Sequence, residues 1–300
     1  MGKNNMKWLW VCLLMMMQTG TGIASGGDFI PGSRAAAMGR TAVACPGIWS
    51  GATNQAGLAW QEGWQTGFFA ENRFLLKEMG YGALTLSWSG QPGAFGMILL
   101  YHGCQQYNEL KAGVSYARKF GKWFSFGIQL HYFRFQITEG YGSRGVVSCE
   151  IGWMVKPNRS WTVGMQVCNP VPIKLTQYPE ERLSTVFRIG VGYDLAGKVL
   201  VLLEVEKDLE HPLVMRTGLE IRLAKGFCAR IGMHSGPFTL TGGAGLSLGR
   251  LSVDIATEYH MVLGFSPGIS VGYTFKKTLT TECTEKTRRP QRKRKSTTYE

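Results

Sequence analysis

The sequence predicts an all-β chain: a 14-stranded antiparallel transmembrane β-barrel with an N-terminal hatch or plug segment. Three observations predict it. Apolar and polar residues alternate with period two along most of the chain, the signature of a β-strand with two unlike faces. The N-terminus has the charge and hydropathy profile of an export signal, and no later stretch of about 20 apolar residues could form a membrane helix. The connections alternate between tight turns and mostly longer loops, as in barrels whose two rims differ. Composition agrees: 40 of 300 residues are glycine, too many for long helices of good propensity.

The elements follow in order. Residues 1–25 read as a signal peptide: Lys3 and Lys7 precede the apolar run from Trp8 to Met17, and small residues with cleavage after Ala24 or Ser25 follow. Residues 26–63 read as the hatch. "FIPGSRAAAMGRTAVACPGIWSGATNQAGLAW", Phe29 to Trp60, lacks period two and is rich in Ala and Gly, which suits close packing in a narrow lumen. A short periplasmic extension is the rival reading.

Residues 64–275 read as the barrel. The fourteen strands are expected near 65–73, 80–89, 93–101, 109–118, 122–135, 145–156, 160–167, 184–194, 198–206, 213–222, 226–234, 237–247, 250–259 and 267–275, each edge uncertain by about 2–4 residues. The first is the least patterned. The fifth is among the clearest: Phe124, Phe126, Ile128, Leu130 and Tyr132 oppose Ser125, Gly127, Gln129 and His131. Turns such as "FGK", "DLAGK" and "LGR" follow even-numbered strands; "QITEGYGS", "KDLEHP" and the stretch Cys168–Leu183 follow odd ones, with "HSGP" an exception. The outward parity is almost free of charge until Arg118 and Arg134 at strand ends, where long side chains reach the interface.

The inward parity is polar. Lys111, Arg188, Arg216, Arg222 and Arg230 face Glu150, Glu204, Glu206, Glu220, Asp254 and Glu258. Their near-balance predicts internal pairing rather than a field of one sign. Many inward positions are glycine, among them Gly127, Gly152, Gly164 and Gly232, leaving room for another backbone. Leu200, Leu202 and Val214 share this parity and are the candidates for an apolar pocket.

The net charge of +13 says little about the barrel, because the tail at residues 276–300 holds nine Lys/Arg and three Glu. Its basic run "RRPQRKRK" reads, behind an export signal and a barrel, as a disordered periplasmic tail beside anionic lipid or cell-wall polymer, not as a nucleic-acid site. The six cysteines after Cys12 match no metal or disulfide spacing and read as small buried thiols. No HxH, HExxH or GxSxG pattern is present, so no catalytic residue, metal or cofactor is assigned.

"GSRAAAMG" (Gly32, Arg34, Ala36, Met38 and Gly39 among its residues) followed by "NQAGLA" (with Asn54, Gly57 and Leu58) resembles the hatch signature of the PorV/PorQ group. That group lies within the wider FadL-like outer-membrane barrels. Gln55 stands where the group has Pro. The resemblance implies an outer-membrane location with both termini periplasmic. It also implies a non-enzymatic part in protein export or surface attachment of the type IX secretion kind, with secreted cargo or secretion components as partners. A FadL-like passive conduit for a hydrophobic ligand is the alternative, and a barrel with no transport role a third.

Overall fold

The computed structural model describes residues 30–137, 142–171, 173–174 and 182–275. The expected signal peptide, the basic tail and Cys283 lie outside them. Fourteen antiparallel strands close into one barrel. They are β1 Gly63–Asn72, β2 Gly80–Gly90, β3 Gly93–Gly103, β4 Tyr107–Phe120, β5 Phe124–Ile137, β6 Gly142–Val155, β7 Trp161–Cys168, β8 Val186–Leu195, β9 Val199–Asp208, β10 Val214–Ala224, β11 Phe227–Ser235, β12 Phe238–Leu248, β13 Leu251–His260 and β14 Gly264–Thr274. Each pairs with its chain neighbours, and β1 pairs with β14 to shut the cylinder. A two-residue ribbon, Ile173–Lys174 with Arg182–Leu183, lies outside the barrel sheet.

The alternation of side chains gives this cylinder its two environments. On β5, Ser125, Gln129 and His131 are buried whereas Ile128, Leu130 and Tyr132 are exposed. Leu84, Met97, Val114, Leu203, Met215, Ile231 and Ile255 continue the exposed apolar face around the wall. A water-soluble fold would not leave so continuous an apolar surface uncovered. Hydrocarbon makes it favourable, and closure removes the sheet edge that a bilayer could not solvate. Aromatics crowd the strand ends, with Trp64 beside Trp88, Phe95 beside Tyr116 and Tyr259 beside Phe265.

The strands that look clearest in sequence are also the longest here. β4, β5 and β6 each have 14 residues and extend into what the sequence suggested were loops. The connection after β3 therefore shrinks to residues 104–106. β1 is weakly patterned for a physical reason: its inward positions include Phe69, fully buried against Trp49 and Tyr81, so both faces are apolar.

The ends of the barrel share one rim. Gln65 is opposite Thr274, and the Phe275 amide donates to the Trp64 carbonyl at 2.9 Å. This rim also carries the tight turns after the even-numbered strands. The other carries the loops after the odd ones.

Candidate functional site

Residues 30–61 fill the lumen. A turn of helix at Ser33–Ala36, another at Ser50–Thr53 and a 3-10 turn at Gln55–Trp60 interrupt an otherwise irregular path. Ala37, Met38, Ala56 and Leu58 are wholly or almost wholly buried. The inward glycines mark where this segment touches the wall. A Cβ on Gly164 would stand 2.0 Å from the Val43 carbonyl oxygen, one on Gly232 2.3 Å from the Gly39 nitrogen, and one on Gly127 2.5 Å from the Gln55 carbonyl carbon. Only glycine permits backbones to approach so closely.

Four polar clusters tie the segment to the wall. In the first, Arg40 reaches Glu71 at 2.7 Å and Glu258 at 2.8 Å. Burial disfavours the Arg40 charge, but Glu258 and Glu71 outweigh burial and hold its pKa above the ordinary value. In the second, Glu220 accepts from Arg34 at 2.9 Å and Arg230 at 2.8 Å, and Arg230 also pairs with Asp254 at 2.7 Å. Arg222 bridges from Glu220 to Asp194 at the tight-turn rim. In the third, Glu206 pairs with Arg188 at 2.5 Å and Arg216 at 2.8 Å, while one Glu204 oxygen accepts from the amides of Ala42 and Val43 at 2.8 and 2.9 Å. In the fourth, Glu150 meets Lys111, the Gln55 side-chain amide at 2.7 Å and that of Gln166 at 2.9 Å.

The eleven charged wall residues singled out by sequence are thus distributed over four clusters, and the hatch motif lies among them. Arg34 supplies one cluster. Asn54 donates to the carbonyls of Val43 and Trp153 at 2.7 and 3.0 Å. Gly32 has φ 101° and abuts the Trp49 ring; Gly39 has φ 66°. Gly57 sits against Ser50, Met38 against Gly218 and Leu58 against Gly96. Ala36 packs on Ala37 and Ala256. Arg40, Glu71 and Gln55 were missed as site residues. Arg40 was visible one residue past the first motif, but Glu71 lay in the ambiguous strand. Gln55, at the position where the resembled group has Pro, donates to Glu150, a bond Pro could not make.

Leu200, Leu202 and Val214 do not come together. Glu206 is opposite Val214, and six residues separate it from Leu200, roughly 20 Å along a strand. The two leucines lie toward the tight-turn rim and Val214 lies at the other. The apolar lining is instead on β1 to β3, where Phe69, Tyr81, Ala83, Ile98 and Leu100 pack with Ala52 under Trp49. Parity alone could not find it, because aromatic and aliphatic residues occupy both faces of β1.

Among the described residues the wall has a notch three strands on, at β6. Of the 14 residues of β6, six pair with β7, from Glu150 opposite Cys168 to Val155 opposite Val163. β7 has only 8 residues. Among the described residues, no strand covers β6 beyond Cys149, whose carbonyl takes the Asn169 amide at 3.0 Å. The row Leu100, Lys111, Phe133, Val146 runs across neighbouring strands from the apolar lining to this edge. Phe133, within this row, is buried.

No family model matches the chain, and no curated protein matches it. Solved structures do. CymD, a monoaromatic hydrocarbon channel, superposes with a TM-score of 0.68 at 13% identity, covering 82% of this chain and 98% of its own. The toluene transporter TbuX of Ralstonia pickettii gives 0.66 at 11% identity, with the same coverage of 82% and 98%. A FadL homologue of Pseudomonas aeruginosa gives 0.64 at 11% identity, again covering 82% and 98%. None of these neighbours is a secretion component, so the expected PorV/PorQ assignment gains no support from them. The likeness is one of fold: this chain, a closed 14-stranded antiparallel β-barrel, superposes on structures of a FadL homologue and of monoaromatic hydrocarbon transporters.

Proposed function

We propose that this chain is a passive conduit by which hydrophobic small molecules cross the outer membrane, with residues 30–61 as a hatch that closes the lumen to water. The observation that carries the reading is the notch at β7. An apolar solute has no favourable path along a lumen crossed by four charged clusters, because shedding contact with hydrocarbon for charged walls gains nothing. The stretch of β6 past the end of β7 offers a sideways path between the lumen and the membrane. The apolar lining of β1 to β3, joined to that edge by the row from Leu100 to Val146, is a matching surface once Trp49 and Ala52 move aside. The shared fold with hydrocarbon channels supports the same reading.

The test places a charge beside the notch. Val147 is exposed on the lipid face of β6 at the uncovered edge, and Ile231 is equally exposed on β11 across the barrel. Val147→Arg and Ile231→Arg should destabilise the barrel alike, by roughly 2–4 kcal/mol at most. Uptake of a labelled monoaromatic hydrocarbon into cells carrying the chain should fall several-fold with Val147→Arg and hold with Ile231→Arg. Equal uptake in all three strains, and in cells lacking the chain, would end the conduit reading. Recovery of secreted proteins as stoichiometric partners from native outer membrane, with uptake unchanged, would favour the export role instead.

A further inference from the structure

The two rims of the barrel differ in a way that conduit function does not require. Of the seven described tryptophans, only Trp49 lies away from the tight-turn rim; Trp60, Trp64, Trp88, Trp123, Trp153 and Trp161 all fall within a few residues of it. Trp64 and Trp161 are on the outward parity, and Trp123, in the turn after β4, is 64% exposed. The same rim is basic. Arg118, Lys122, Lys198, Lys225 and Arg250 are all exposed on it. Among the described residues the acids there are few: Asp194 is engaged by Arg222 and the Gly197 amide, which leaves Glu62. At the opposite rim cations alternate with Glu78, Glu109, Asp208 and Glu210, and tyrosine and phenylalanine replace tryptophan.

We infer that the tight-turn rim is a ring that binds the phosphate head groups of anionic phospholipid and so fixes which leaflet this end of the barrel occupies. Indole is amphipathic and settles at head-group depth. Lys and Arg beside it extend their charge into the phosphate layer while their stems stay on the apolar wall. The direction of the tryptophans selects lipid over a soluble acidic partner. A docked protein would meet this rim along the barrel axis, whereas Trp64 and Trp161 point sideways into the bilayer. The inference holds whether or not the barrel conducts hydrocarbons.

The test uses the full chain in nanodiscs made of equal phosphatidylglycerol and phosphatidylcholine, with the retained lipid identified by native mass spectrometry. Wild-type protein should retain the anionic lipid over the zwitterionic one by about tenfold, and 0.5 M salt should erase most of that preference. Lys122→Gln, Lys198→Gln, Lys225→Gln and Arg250→Gln combined should bring the ratio near one. Lys77→Gln with Lys207→Gln, at the opposite rim, should leave it unchanged. Heat-modifiable migration checks that each variant is a closed barrel, and the salt series tests the wild type should the fourfold variant not fold. No preference in the wild type, a preference that survives the fourfold change, or equal loss from the other rim would overturn the inference. So would a fourfold variant that keeps the wild-type lipid ratio but no longer binds immobilised polyglutamate as the wild type does, which would assign the ring to an acidic protein.

Discussion

Arg40 shows how much a single side chain carries. It neutralises Glu71 and Glu258 from inside the barrel, and both carboxylates are buried. Removing it takes the guanidinium from between two buried acids and leaves Arg73, which reaches Glu71 at 3.1 Å, to offset them from one side. Arg40→Ala should therefore cost about 3–5 kcal/mol, read as a lowered urea midpoint for the folded barrel in micelles; Arg40→Met with Glu258→Gln should recover part of the loss. Glycines make the complementary case. Gly164→Val would drive a methyl toward the Val43 carbonyl, and overpacking of this kind costs about 1–3 kcal/mol. Gly242, on the lipid face, has only the Arg230 carbonyl within reach, at 3.8 Å. Gly242→Ala should change stability by less than about 0.5 kcal/mol in the same measurement. An equal effect at both positions would mean that residues 30–61 do not press on the wall.

At the scale of elements, the strands were legible because each must present hydrocarbon with one face and water or polar side chains with the other. Fourteen segments read from period two correspond to the fourteen observed. Their edges shifted where the pattern continued past the expected loop, as at Ile137 and Gly142. What the sequence could not carry was pairing across the lumen. Arg34 meets Glu220 over a separation of 186 residues, and neither neighbourhood announces the other. The apolar lining was misplaced onto β9 and β10 because parity records direction but not height along a strand. The inner segment also balances charge. Without residues 30–61 the wall keeps Glu71, Glu150, Glu220 and Glu258 but loses Arg34 and Arg40. A chain lacking these residues should form an ion-conducting pore that prefers cations, seen as a shifted reversal potential in a salt gradient. An anion-selective pore would contradict the charge assignment.

For the molecule as a whole, the account joins three properties: a wall that belongs in hydrocarbon, a lumen occupied by residues 30–61, and a notch in the described wall at β6. The first was readable from the alternation and from the shortage of outward charge. The second was suggested by glycines and by an Ala/Gly-rich stretch without period two, and those glycines are points of backbone contact. The third was not readable, because it depends on β7 stopping while β6 continues, and nothing in "WTVGMQVC" sets its end against the end of its neighbour. The central claim is that the axis of this barrel is shut to water. Recording ionic current through the intact protein in a planar bilayer tests it most directly. The account predicts no steady current above that of the bare bilayer, and a steady open-pore current from the wild-type chain would contradict it.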